Sequence, residues 1–418
     1  MKRTPRAAGS RSGPVTPRRR ESTVHVPADV ARRVRDGHPF IFGEALRGRS
    51  IEKPAGHAIE VLDPDNRFVA LAVHDPEGNP PLRVVSRRPG QTFGPAEVAA
   101  RVKACVELRR RFLDTGPQAC YRVISGDSEG LPAVSVDRFG DFLVVALFSA
   151  VAETYREPLV EALGHELRPA GIYLQRRFQA AVPGRARPGA ELVAGVAAPP
   201  EVVVLEGRSR FVVDVSAPGG TGVYPDMRNG RRLVAAHAGG RRVLNCFSYT
   251  GAFSTVAALH GASAVTSVDA AARAHGRARR NFAENKIDDG DPRFEFVTGD
   301  TFATLARFAE RKRRFDLVIL DPPTFSSVKG GRTFTALKDY AELCAAAVEV
   351  TAESGLLLAA SNAARLPVTD LERAIGRGAS MAGRDALILE QLGQPLDYPV
   401  LPSFPEGAYL KIFLACVP

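Results

Sequence analysis

Three aspartates stand where apolar runs end: Asp269 in "VTSVDA", Asp300 in "FVTGD" and Asp321 in "FDLVILDPP". A carboxylate at the end of a core strand can accept hydrogen bonds from a bound ligand. Asp269 lies eighteen residues after Gly251, close to the interval at which an acid meets ribose hydroxyls. Asp300 is placed to accept from an exocyclic adenine amine. Ahead of them runs "LNCFSYTGAF", in which Ser248, Thr250 and Gly251 are small enough for backbone amides to approach a ligand. This turn is neither a Gly-x-Gly-x-x-Gly loop nor a Walker loop, whose Lys is missing. An Asp in such a place also caps the following helix, and a tight turn into a helix also wants Gly. Taken together, the three acids and the small-residue turn point to an adenosine-type cofactor.

The segment "DPPTF", Asp321 to Phe325, narrows the chemistry. Proline fixes its own φ and pushes the preceding residue into an extended conformation. The turn then presents carbonyls and one aromatic ring in a fixed direction. Such a ring can stack on a flipped base while polar groups hold its edge. Methyl transfer to a base needs this arrangement, whereas hydride transfer does not. A dinucleotide oxidoreductase would also need a phosphate-binding Gly pattern that "NCFSYTG" lacks.

These residues must be positioned by regular elements. From Arg241 onward, short apolar strands alternate with helices: "RRVLNCF", "AFSTVAALHG", "SAVTSVDA", "RFEFVTGD", "TFATLARFAERK", "FDLVILD", a helix over 334–352, "GLLLAAS", "ALILEQLG" and "AYLKIFLACV". That alternation predicts a doubly wound, mostly parallel sheet. Residues 22–93 predict a β-rich module of short β-branched runs, with a basic helix carrying Arg32, Arg33 and Arg35. Phe40, Ile41 and Phe42 in it read as core. Residues 94–215 predict a small α+β unit: a helix over 94–118, strands in "YRVISGDSEGLPAVSVDRFGDFLVVALFS", a helix near 152–167, then "GIYLQRR" and "EVVVLEGRSRFVVDV". The Pro/Gly-rich stretch "AAVPGRARPGAELVAGVAAPPE" between these last two reads as a loop. Residues 216–418 then form the C-terminal α/β domain.

The formal charge of +10 favours a polyanionic partner such as nucleic acid. Much of the excess sits before Glu21, in Lys2, Arg3, Arg6, Arg11, Arg18, Arg19 and Arg20. With Gly, Ser and Pro between them, residues 1–21 read as a disordered basic tail that grips phosphate. The chain shows no run of about 18 apolar residues, so a membrane span is not expected. Cys105, Cys120, Cys246, Cys344 and Cys416 are unclustered, which points to reduced thiols in cytoplasm and no structural zinc.

Taken jointly, "VLNCFSYTGAF", "VTSVDA", "FDLVILDPPTFS" and "PEGAYLK" resemble the class I S-adenosylmethionine-dependent rRNA large-subunit methyltransferases. "DGHPFIFGEALRG" resembles the start of that family's PUA RNA-binding domain, with Phe40 where a tryptophan is usual. "YRVISGDSEGLPAVSVDRFGD" resembles its central domain. "TGVYPDMRNGRR" resembles the segment leading into the cofactor pocket, with Tyr224, Asp226, Arg228 and Arg231 at matching places. The resemblance covers nearly the whole chain. It implies a Rossmann-like methyltransferase domain behind a PUA domain and a central domain. It also implies that Tyr224, Asp226, Arg228 and the turn of Asn245, Phe247, Ser248, Tyr249, Thr250 and Gly251 hold the methionine end of S-adenosylmethionine. Asp269 would then hold its ribose and Asp300 its adenine, with Asp321 beside it. Asp321, Pro322, Pro323 and Phe325 would face the target base. The implied partner is RNA, 23S rRNA in particular, in the cytoplasm. The sequence leaves a homodimer open.

One departure matters. The best-known branch with this layout makes 5-methylcytosine, using a Cys thiolate that follows the fifth strand and adds to the base. Here that stretch runs "LLLAASNAAR", the matching residue is Asn362, and position 324 is Thr. An amide cannot be that nucleophile. "DPPTFSS" with "SNAAR" instead resembles a neighbouring branch that makes 7-methylguanine. Nitrogen 7 has a free lone pair, so positioning would carry the rate enhancement. The sequence therefore favours non-covalent attack by a base nitrogen. Cytosine methylation with an unidentified nucleophile, or a non-catalytic assembly factor, are the alternatives. Asn362 would donate to the base or cap the next helix. Tyr398, Glu406, Tyr409 and Lys411 would line the site or pack the fold, and Asp127–Gly130 would be a turn.

Overall fold

The computed structural model describes residues 22–46, 48, 50–178, 189–218, 220–327 and 333–418. The expected basic tail, residues 1–21, lies outside them. Among the described residues, no helix is long and apolar enough to cross a membrane.

The first unit contains β1 (Thr23–His25), α1 (Ala28–Arg35), β2 (Phe40–Ile41), β3 (Ala58–Leu62), β4 (Phe68–His74) and β5 (Leu82–Ser86). Its strands lie in the order β1-β3-β4-β5-β2. Helix α1 buries Val30, Ala31 and Val34 on one face, so Arg32, Arg33 and Arg35 turn to solvent.

The second unit contains α2 (Pro95–Phe112), β6 (Cys120–Ile124), β7 (Val134–Phe139), β8 (Phe142–Leu147), α3 (Ala150–Glu153), α4 (Arg156–Leu167), β9 (Gly171–Arg176) and β10 (Glu191–Gly195). The sheet order is β10-β9-β8-β7-β6, and only β8 and β9, joined through the helices, run parallel. Three expectations are corrected here. Helix α2 stops at Phe112 and not 118, because Leu113 is already extended and Gly116-Pro117 cannot continue a helix. The helix near 152–167 is two, broken where the Tyr155 ring turns inward and its hydroxyl donates to the Pro132 carbonyl. The expected loop of 180–201 contains an edge strand, β10, which pairs antiparallel with β9 across a bulge and adds the Arg176–Glu191 ion pair (2.6 Å).

A hairpin of β11 (Val202–Glu206) and β12 (Ser209–Val213) then leads through α5 (Arg228–His237) into the large sheet. The strands of that sheet are β13 (Arg242–Cys246), β14 (Ala264–Asp269), β15 (Phe294–Thr298), β16 (Phe315–Leu320), β19 (Thr351–Ser361), β20 (Leu387–Leu392) and β21 (Lys411–Val417). Between them run α6 (Ala252–Leu259), α7 (Ala272–Glu284), α8 (Thr301–Glu310), a small hairpin of β17 (Phe325–Ser327) and β18 (Thr333–Thr335), α9 (Ala336–Val350) and α10 (Val368–Met381). The order is β15-β14-β13-β16-β19-β21-β20, with β21 antiparallel to β19 and to β20. Val243, Leu244, Leu317, Val318, Ile319 and Leu320 are all buried, because helices cover both faces of these central strands. Strand β13 pairs in parallel with both β14 and β16, so the strand order reverses beside it. A crevice opens outside the carboxyl ends of strands at such a switch point. One apolar cluster runs from Phe142 and Tyr173 through Phe211 to Val243 and Ile319, so the second sheet and the large sheet share a core.

The segment between β20 and β21 touches every unit. Phe404 packs on Phe40 of the first sheet, with ring centroids 4.8 Å apart. Asp397, fully buried, pairs with Arg228 (2.6 Å) and accepts from the Arg122 amide (2.8 Å) of the second sheet.

Candidate active site

A cavity of about 360 Å³ lies at the carboxyl ends of β13, β14, β16 and β19. A larger and more open cavity, about 850 Å³, lies at the opposite pole among Arg242, Lys312, Arg313, Arg314 and Arg384. The smaller one is the candidate site, because the strand-end residues with usable chemistry converge on it.

The turn after β13 alternates in hand. Phe247, Tyr249 and Gly251 all take left-handed backbone, with φ of 56°, 48° and 70°. Side-chain-bearing residues resist this conformation, so the surroundings must hold it. The Ser248 amide donates to the Val268 carbonyl (2.9 Å) and the Tyr249 amide to Asp269 Oδ2 (2.8 Å). Asn281 Nδ2 on α7 donates to the Thr250 carbonyl (2.8 Å), and the Thr250 hydroxyl donates to the Gly222 carbonyl. Gly251 is required because a Cβ there would come within 2.7 Å of the Ala278 methyl. Tyr224 and Tyr249 rings lie 5.6 Å apart along the wall.

Asp269 is held by two amides: its Oδ1 also accepts from the Ala271 amide at 2.8 Å. Each carboxylate oxygen keeps a second lone pair for a diol. Asp300 accepts from the Ala303 amide (2.9 Å) and so caps α8 while lining the cavity. Phe302 and Phe334 rings stand 6.3 Å apart there, and Phe247 lies 6.1 Å from Phe334.

The electrostatic centre is a pair of carboxyls. Asp226 Oδ2 accepts from the Tyr409 hydroxyl at 2.8 Å, while its Oδ1 is buried without a hydrogen-bond partner among the described residues. Burial raises the Asp226 carboxyl above the usual range. Burial, with Asp226 nearby, pushes Asp321 up to about 7. The Ser248 hydroxyl is likewise buried and has no hydrogen-bond partner among the described residues. Two buried carboxyls and two orphan oxygens, Asp226 Oδ1 and Ser248 Oγ, suit a ligand that brings positive charge and N–H donors. The ammonium and sulfonium of S-adenosylmethionine meet that requirement.

On the other wall, Pro322 and Pro323 line the cavity beside Asn362, and the Thr324 hydroxyl donates to Asn362 Oδ1 at 3.0 Å. The cavity thus gathers Tyr224, Asp226, Phe247, Ser248, Tyr249, Thr250, Asp269, Asp300, Asp321, Pro322, Pro323 and Asn362. Four expected residues lie elsewhere. Arg228 points back to Asp397 (2.6 Å) and to the Cys120 carbonyl (2.7 Å), and serves the junction with the second sheet. Asn245 is buried within β13 and donates to Ser254 Oγ at 2.9 Å. Gly251 supports the turn from behind. Phe325 is 61% exposed outside the cavity.

Sequence reasoning assigned no role to Phe302 and Phe334, which a search for aromatics next to Asp300 and the "DPP" hairpin would have found. Arg231 was matched only by resemblance. It lines the cavity, and its guanidinium donates to Glu206 Oε1 (2.6 Å) and the Tyr224 carbonyl (3.0 Å). Tyr398 is buried under the Arg122 guanidinium (4.5 Å), and Glu406 meets His38 (3.5 Å), so both serve packing. Asp127 and Glu129 lie in the expected turn, paired with Arg83 (3.1 Å) and Arg109 respectively. All five cysteines are described and none lines the cavity; burial pushes the Cys246 and Cys344 thiols well up.

Comparison with known proteins agrees with this geometry. Residues 136–413 match a family described as S-adenosylmethionine-dependent methyltransferase, and residues 24–87 match the PUA-like domain. The chain is 34% identical over 383 residues to "Ribosomal RNA large subunit methyltransferase I" of Shigella boydii, covering 91% of this chain and 95% of that one. The Escherichia coli protein of the same name is 33% identical over the same coverage. Among solved structures, SMU.776 complexed with SAH superposes with a TM-score of 0.86 at 24% identity, covering 95% of this chain and all of that one (100%).

Proposed function

The chain belongs to the S-adenosylmethionine-dependent methyltransferase family, and we propose that it methylates a base of 23S rRNA by non-covalent attack of a base nitrogen. The cofactor, when bound, supplies an electrophilic methyl group. Asp226 and Ser248 receive its methionine end through their unpartnered oxygens. Asp269 accepts from the ribose hydroxyls, with its carboxylate already aligned by the Tyr249 and Ala271 amides. Asp300, with Phe302 and Phe334, takes the adenine. Asp321, Pro322, Pro323 and Asn362 face the base, and the exposed ring of Phe325 is available to it at the mouth. Residues 22–93 and the basic tail contribute RNA affinity in the cytoplasm.

The observation that carries the non-covalent reading is the lining itself. Asn362 occupies the base-facing wall, and no thiol reaches it. Cytosine carbon 5 needs a covalent adduct to become nucleophilic, whereas a ring nitrogen with a free lone pair needs orientation. The relatives' printed name, a large-subunit rRNA methyltransferase, supports the substrate class. Incubating the protein and cofactor with large-subunit rRNA containing 5-fluorocytosine should yield no stable protein–RNA adduct. A methyl-dependent adduct overturns the mechanism. Nucleoside mass spectrometry of the methylated rRNA identifies the base.

A further inference from the structure

Lys411 is the first residue of β21, opposite Ser361 in the register with β19. Its side chain is almost wholly buried, 3% exposed. The Nζ donates to the Ala363 carbonyl at 2.6 Å and to the Tyr409 carbonyl at 2.8 Å. Burial pushes its ammonium down to about 8. A buried cation is costly, and an apolar side chain would fill a strand start without that cost. What distinguishes the ammonium is the pair of segments it joins. Ala363 follows Asn362, which the Thr324 hydroxyl also touches. Tyr409 carries the hydroxyl that holds Asp226 at 2.8 Å. One donor group therefore sets the spacing between the base-facing wall and the methionine-facing wall.

We propose that Lys411 is a positioning residue for methyl transfer, fixing Asn362 and the Tyr409–Asp226 pair relative to one another. This rests on the assignment of Asn362 and Asp226 to opposite ends of the reaction. Methyl transfer requires donor and acceptor in line within a few tenths of an ångström, so loosening either wall lowers the rate. Lys411 does not line the cavity and acts through its two carbonyl partners.

The test is a pair of double-mutant cycles on the full chain, with methyl transfer to large-subunit rRNA and calorimetric S-adenosylmethionine binding as readouts. Lys411→Met should lower kcat by about tenfold or more and weaken cofactor binding. Adding Asn362→Ala to it should cost far less kcat than Asn362→Ala costs in the unaltered protein. Adding Tyr409→Phe should likewise cost little further cofactor affinity. Lys411→Arg, which keeps a charged donor, should recover part of kcat, and it carries the same cycles if the Met variant does not fold. Additive effects in both cycles, or a lowered melting temperature with kcat and Kd unchanged, overturn the proposal. If Asn362→Ala retains full activity, the base-facing assignment fails and the proposal with it. Additivity alongside an impaired Asn362→Ala refutes only the role of Lys411.

Discussion

The Thr324 hydroxyl donates to Oδ1 of Asn362 at 3.0 Å, joining the loop after β16 to the loop after β19. With its oxygen engaged, the amide presents Nδ2 as a fixed donor. Thr324→Val should therefore lower kcat by about tenfold, the worth of one oriented hydrogen bond, and leave cofactor affinity unchanged. Thr324→Ser, which keeps the donor, should restore the rate. Equal kcat for the Val variant and the unaltered protein in single-turnover assays would show that the amide is held by something else.

Asp269 should contribute twice. As the ribose acceptor, its replacement by Ala should weaken S-adenosylmethionine by roughly 1–3 kcal/mol. As the acceptor for the Tyr249 and Ala271 amides, its loss should also destabilise the apo protein by about 1 kcal/mol. Calorimetry reads the first effect and denaturant melts the second. A stability loss with intact affinity would leave Asp269 a capping residue only.

Cofactor binding should strengthen with pH around neutrality. Asp321, held near 7 beside Asp226, is largely protonated at pH 6 and largely ionised at pH 8. Only the ionised form attracts a cationic ligand, so affinity should rise by up to about tenfold across that interval. The apo fold should respond in the opposite sense. A carboxyl raised in the native state favours folding below its unfolded pKa of about 4, and that contribution is lost as pH rises through 7. Asp321→Asn should flatten both profiles. A pH-independent Kd between 6 and 8 in the unaltered protein would remove Asp321 from the cation's surroundings.

Asp397 should be a stability residue and not a catalytic one. It is fully buried, pairs with Arg228 at 2.6 Å and accepts the Arg122 amide at 2.8 Å. Asp397→Ala leaves the buried Arg228 charge with the Cys120 carbonyl at 2.7 Å and the Glu206 carboxylate no nearer than 3.5 Å, which should cost about 3 kcal/mol or more. Urea unfolding measures this, and a loss below about 1 kcal/mol would mean the junction relaxes around the change.

Much of the candidate site was legible because it is local. Asp269, Asp300 and Asp321 each end or follow a parallel strand of the large sheet, and strand ends in a doubly wound sheet face one crevice whatever lies between them. Asn362 was instead placed by resemblance, through the match of "SNAAR" after the fifth strand. The expected residues that lie outside the cavity show where that logic stops. Arg228 and Asn245 sit within a few residues of true lining positions, but helix and strand periodicity turn them inward, to Asp397 and Ser254. Strand β10 was missed because an exposed edge strand carries no apolar alternation to read.

The sequence by itself determined the cofactor class, the alternation of strands and helices from Arg241 onward, and the presence of Asn362 where the resembled family carries a thiol. Those properties depend on residue type and on spacings short enough to be read along the chain. Only the tertiary structure decided which groups act together. Tyr409 reaches Asp226 across 183 residues, and Lys411 reaches Ala363 across 48. Such contacts arise because the antiparallel return of β21 brings the chain's end alongside β19, a pairing that depends on the assembled sheet and leaves no local signal.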